Sequence, residues 1–188
     1  AKVTFENSFK KNQHIIKRHL DYSNNKNHKI PRIAFLSADF YSHATSFLMA
    51  SFFENLNNQD FTYHAFSYGK DKDNSIVSNR VRNAFSNFHN VENRSNAQVS
   101  DMLRKFEIDI AIDIKGYTKG TRIGILANKP CPIQLSYLGF PSTLNTNFID
   151  YIVLDKFLVT KDNEKYFSEH IIKLPNCYQC TDDKRPLP

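Results

Sequence analysis

The chain has 188 residues, 40% of them hydrophobic and 23% charged, with 16 Phe and 9 Tyr, which is ample apolar material for one packed domain and excludes a disordered polymer. No apolar run approaches the roughly 18 residues that a membrane span requires, so no membrane partner is expected. The formal charge of +6 would ordinarily suggest nucleic acid, but Lys2, Lys10, Lys11, Lys17, Arg18, Lys26, Lys29 and Arg32 stand against only Glu6 and Asp21 at the start, and the rest carries 17 basic and 17 acidic residues. A neutral body gives no reason to expect nucleic acid as a partner.

Residues 5–20 read as an amphipathic helix, with Phe5, Phe9, Ile15 or His14, Ile16 and Leu20 on one stripe. No secretory leader is written there, because Phe9-Lys10-Lys11-Asn12-Gln13-His14 interrupts any apolar core; a cytoplasmic protein is the simplest expectation. Residues 21–31 are polar and Asn-rich and end at Pro31, the mark of a linker. Two segments are therefore expected: helix and linker over 1–31, and a compact lobe over 32–188.

Within that lobe strand and helix alternate. Ile33 to Ser37 is a short apolar run of the buried-strand kind, followed by turn residues 39–43 and a helical stretch through Phe47, Leu48, Phe52, Phe53 and Leu56. Phe61 to Phe66 predicts a second strand, Val77 to Phe85 a helix, and 87–91 a weak third strand. Ser95 opens a helix carrying Val99, Met102, Leu103 and Phe106. Ile108 to Ile114 predicts the fourth strand and Arg122 to Ala127 a short helix, with three further strands over Pro132–Leu138, Tyr151–Leu154 and Ile171–Leu174. Repeated units of this kind imply an α/β, Rossmann-like parallel sheet with helices on both faces.

In such a sheet ligands bind beyond the carboxyl ends of the strands, near the point where the strand order reverses. Three loops occupy those ends: 37–46, with Asp39, His43 and hydroxyls; 113–122, with Gly116, Gly120 and the cations Lys115, Lys119 and Arg122; and 138–143, with Gly139 and Pro141. Each admits a plainer reading. Asp39 or Ser42 would serve as a helix cap, His43 as a surface residue, and the three cations as a solvated face. The five glycines, at 69, 116, 120, 124 and 139, cannot write a dinucleotide-binding or P-loop fingerprint, and no nucleophile elbow is present. Cys177 and Cys180 have CxxC spacing, but with only Cys131 and scattered histidines to complete a set of four they read as ordinary thiols, so no metal is expected.

Taken together, Arg32-Ile33-Ala34-Phe35-Leu36-Ser37-Ala38-Asp39-Phe40-Tyr41-Ser42-His43, then Asp113-Ile114-Lys115-Gly116-Tyr117-Thr118-Lys119-Gly120-Thr121-Arg122, then Pro132 to Pro141, Ile149 to Ile152, Tyr166 to Glu169 and Leu174 to Gln179 resemble the catalytic region of the O-linked N-acetylglucosamine transferase family, which includes the SPINDLY proteins. The resemblance runs in register from about residue 31 to 185. It implies one lobe of a GT-B glycosyltransferase, whose active site lies between two Rossmann-like lobes. The implied reaction transfers a sugar from a nucleotide-sugar donor to Ser or Thr of an acceptor protein. The anomeric carbon is inverted and there is no metal or other cofactor, UDP-sugar being a substrate.

Carried over by position, the resemblance makes Asp39 and His43 the catalytic pair, Asp39 matching a proposed general base. Thr45 stands beside them, Tyr117, Thr118, Lys119 and Arg122 line the cleft, and Leu138, Gly139, Phe140 and Pro141 lie near the donor sugar. The family's C-terminal lobe, which supplies most donor contacts, is expected as a partner, so the 188 residues alone are expected to be inactive. Three departures stand out: Ala44 replaces a usual Pro, Lys115 a usual Asn, and Ser142 with Asn145 interrupts a usual P-G-T-x-G. The last two leave N-acetylglucosamine as the first expectation and fucose as an alternative. Outside enzymes, the alternative is a non-catalytic binding module that kept the fold.

Overall fold

The computed structural model describes residues 30–70 and 73–185; the helix expected over 5–20 and most of the linker fall outside them. Seven strands form one sheet, all parallel: β1 (Arg32–Ser37), β2 (Thr62–Ser67), β3 (Asn87–Asn90), β4 (Ile110–Asp113), β5 (Ile133–Tyr137), β6 (Tyr151–Asp155) and β7 (His170–Leu174). Their order is β3-β2-β1-β4-β5-β6-β7. The chain builds outward from β1 in one direction, returns to β4, and builds outward in the other. Between β1 and β4 the loops leave in opposite directions, and a crevice opens there at the carboxyl ends.

Three α-helices, α1 (Ala44–Glu54), α2 (Ile76–Asn83) and α3 (Asn96–Lys105), cover the half of the sheet that runs from β3 to β4. Each begins at an identifiable cap. Ser75 accepts the Ser78 N–H, and Ser95 forms a reciprocal capping box with Gln98. At α1 the cap is His43, whose ring accepts the Thr45 N–H at 3.2 Å; neither Asp39 nor Ser42 takes that role. The expected helix near 122–127 is a 3-10 segment, Ile123–Asn128, stopped by Lys129 in a left-handed conformation ahead of Pro130. The crossovers to β6 and β7 carry no α-helix.

Alternation along the strands sorts the core into two layers. Phe35 and Ala65 pack with Met49, Phe53, Val77, Val81 and Phe85 beneath α1 and α2, with Phe53 and Phe85 rings 4.8 Å apart. Ala34, Leu36, Phe66 and Ala111 face the other way, toward Val99 and Leu103 of α3 and Ile123 and Leu126 of the 3-10 segment. Burial on both faces explains why these strands read as continuous apolar runs. Helices do lie on both faces, as expected. At the tail, Arg80 of α2 donates to Glu54 of α1 and to Asp182, fastening residues 182–185 across both helices.

Candidate active site

Glycines let the loops at the carboxyl end of the sheet close on one another. A Cβ on Gly69 would lie 1.9 Å from the Ala38 carbonyl oxygen, and one on Gly139 would lie 2.4 Å from that of Ile114. Gly116 has φ of +56° and leaves no room for a side chain against Phe140. The loops after β1, β2, β4 and β5 are thereby drawn to a common place.

At its centre stand Asp39, from the loop after β1, and Lys115, from the loop after β4. Lys115 Nζ donates to Asp39 Oδ2 at 2.5 Å, and the two residues are only 4% and 3% exposed. Lys115 is therefore no part of a solvated face. The same Oδ2 lies 3.6 Å from His43 Nδ1. Because a backbone N–H can only donate, the Thr45 contact makes Nδ1 an acceptor, which puts the proton of the neutral ring on Nε2. His43 keeps 37% of its side chain exposed, so this end of the trio opens to solvent while Asp39 and Lys115 do not.

A second carboxylate, Asp113, closes the end of β4. It accepts the Gly116 N–H at 2.7 Å, and Thr118 Oγ1 donates to the Lys115 carbonyl oxygen at 2.9 Å, so the turn that delivers Lys115 is held from both ends. Burial pushes the Asp113 carboxyl up to about 6, against the opposing pull of the Gly116 and Lys115 N–H groups and the Lys115 charge. Tyr68, just past β2, has its phenol pushed well above the usual value by burial and then by the Asp113 and Asp39 carboxylates. Asp113 and Tyr68 belong to the site without being singled out by the motifs. For Asp113 the available signal was its position, a carboxylate at the last residue of an apolar strand; Tyr68 carried none.

The remaining nominated residues divide. Thr45 is buried beside His43, with Oγ1 3.2 Å from Nδ1. Tyr117 donates its hydroxyl to the Leu144 carbonyl and meets Phe140 edge to face at 5.8 Å, tying the loops after β4 and β5 together. Leu138 is buried at φ +66°, Phe140 is half-buried, and Pro141 and Lys119 are exposed at the rim. Arg122 departs from expectation. Its guanidinium donates to Asn96 Oδ1 and to the Val91 and Arg94 carbonyls, and it lies 5.5 Å over the Tyr68 ring. It clamps the loop between β3 and α3 instead of presenting a free cation to the crevice.

A separate apolar groove of about 830 Å³ runs between the amino-terminal halves of α1 and α2 and the tail, lined by Phe47, Leu48, Ile76, Arg80 and Asp182 among others. None of the nominated residues lines it. Cys131 is buried and Cys177 exposed, and among the described residues no three potential ligands cluster as a metal site would require. Among the same residues no helix is long and apolar enough to cross a membrane.

An acid–lysine–imidazole trio at a topological switch point, held by glycine-dependent loop contacts, suits a ligand-binding crevice. Comparison with known proteins decides whose. The family model described as glycosyl transferase family 41 matches residues 5–188. The chain belongs to this family.

The Arabidopsis thaliana protein SEC, described as a probable UDP-N-acetylglucosamine–peptide N-acetylglucosaminyltransferase, is 34% identical over 154 residues, covering 82% of this chain and 16% of its own. A Caenorhabditis elegans UDP-N-acetylglucosamine–peptide N-acetylglucosaminyltransferase is 29% identical over 171 residues, covering 90% of this chain and 15% of its own. The tomato (Solanum lycopersicum) SPINDLY protein is 25% identical over 174 residues, covering 88% and 18%. A mutant Thermobaculum terrenum O-GlcNAc transferase superposes with a TM-score of 0.76 at 20% identity, over 81% of this chain and 29% of that one, so the fold is shared. The family 41 chain thus spans less than a fifth of the length of these curated relatives.

Proposed function

We propose that this family 41 chain is the amino-terminal catalytic lobe of a protein O-glycosyltransferase, which moves N-acetylglucosamine from UDP-N-acetylglucosamine to Ser or Thr of an acceptor protein. Transfer inverts the anomeric carbon and uses no metal, and a carboxy-terminal lobe completes the cleft. The observation that carries this reading is the Asp39–Lys115 pair with His43 at the switch point, in a chain whose relatives bear transferase names.

An inverting displacement needs a path for the acceptor proton and compensation for the departing diphosphate. His43, backed by Asp39, forms the edge that this lobe contributes to the first. The second falls mainly to the other lobe: Lys115 is committed to Asp39 and Arg122 to the loop after β3, which leaves Lys119, exposed at the rim, as the cation of the 113–122 loop open to a donor. Tyr117, Thr118 and residues 138–141 shape the wall beside the sugar.

Mixing the chain with a family 41 carboxy-terminal lobe, an acceptor protein and UDP-N-acetylglucosamine tests the reading. Transfer is expected from the mixture and from neither part alone, with Asp39→Ala or His43→Ala at least about tenfold slower, roughly 1.4 kcal/mol. Transfer by the chain alone would refute the division between lobes, and nucleotide-linked fucose as the better donor would replace N-acetylglucosamine. A mixture inert with every donor would leave a binding module.

A further inference from the structure

Asp39 is held more firmly than a proton acceptor needs to be. Its N–H donates to Ser37 Oγ at 2.9 Å and its carbonyl accepts from Ser46 Oγ at 2.6 Å, so the backbone is fixed on both sides. Its carboxylate is buried against Lys115, and Lys115 is in turn fixed by the Asp113–Gly116 turn and by Thr118. The pair links the loops after β1 and β4, the two strands that flank the switch point.

We infer that Asp39 and Lys115 act as one charge-paired strut across the crevice floor. In this arrangement Asp39 is a positioning residue that sets His43 and the loop before α1, and its carboxylate is committed to Lys115, not to the acceptor proton. This rests on the glycosyltransferase reading above and assigns a division of labour within it. Lys115 is a positioning residue that acts through Asp39.

The physics of buried pairs supplies the test. Removing one partner leaves an uncompensated buried charge, whereas removing both with similar volume retained is far better tolerated. In the reconstituted two-lobe reaction, Asp39→Asn and Lys115→Met are each expected to lower kcat well over about tenfold, and the double variant to transfer at least about tenfold faster than either single variant. Thermal unfolding of the same chains is expected to follow the same order, with the double variant more stable than either single one.

A double variant no faster than Asp39→Asn would show that the carboxylate itself enters the chemistry and would overturn the strut. Losses that multiply would overturn it as well. If a single variant does not fold, the double variant decides: it must fold and transfer sugar, and failure of either overturns the proposal. An inert wild-type mixture removes the glycosyltransferase reading itself, an outcome visible before any variant is compared.

Discussion

Asp113 makes the fold's stability depend on pH in a way that one substitution exposes. Its residue is 1% exposed and its carboxyl is raised to about 6, burial being the largest cause. In the unfolded chain the same group titrates near 3.8. A carboxyl raised on folding is neutral in both states below about pH 4, and between there and about 6 the unfolded chain ionises while the folded one resists. Its stability contribution is therefore intact below the unfolded value and lost as pH rises through the folded one. A difference of roughly two units corresponds to about 3 kcal/mol. Asp113→Asn retains a carbonyl oxygen for the Gly116 N–H and removes the titration. In urea unfolding of the 188-residue chain, the variant is expected to match wild type near pH 4 and to exceed it by about 3 kcal/mol at pH 7.5. A gap that is absent at pH 7.5, or equally large at pH 4, would refute the assignment of the penalty to this buried charge.

On the opposite face of the pH scale, His64 of β2 lies with Nδ1 3.1 Å from Nε2 of His89, and burial, then His89 and Arg32, lower it to about 4. A histidine lowered on folding contributes stability that is present above about pH 6.5 and is lost as pH falls toward 4, here about 3 kcal/mol. His64→Gln is expected to flatten the acid limb of the urea midpoint plotted against pH, and parallel limbs in variant and wild type would count against this. Gly69→Ala tests the loop closure: a Cβ 1.9 Å from the Ala38 carbonyl must push the loops after β1 and β2 apart. The expected loss is about 1–3 kcal/mol, read by thermal unfolding, and a melting temperature within a degree of wild type would show that the contact is not needed.

The strands and most helices were legible because their signals are local. A parallel strand covered on both faces must be apolar throughout, as Ile33 to Leu36 and Ile110 to Ile112 are, and Ser95 with Gln98 writes its capping box within four residues. The sequence predicts a short helix near 122–127 without its kind; Gly124, the six-residue length and the stop at Lys129 and Pro130 favour the tighter 3-10 form at Ile123–Asn128. What the sequence does not write is which partner a side chain takes from a distant segment. Asp39 looks like a helix cap until Lys115, 76 residues on, claims its carboxylate, and the cap passes to His43. Arg122 looks like a cleft cation until the loop at Val91 to Asn96 claims its guanidinium.

One such pairing could have been deduced. Strands β1 and β4 flank the reversal in strand order with Leu36 beside Asp113, so Asp39, three residues past that pair, and Lys115, two residues past it, leave the sheet within one residue of the same height. A carboxylate and an ammonium delivered there by a buried sheet must meet or remain buried unpaired, and the second alternative is the costlier by several kcal/mol. The ion pair at the crevice floor thus follows from topology and electrostatics together, and it leaves the ring of His43 as the exposed end of the trio.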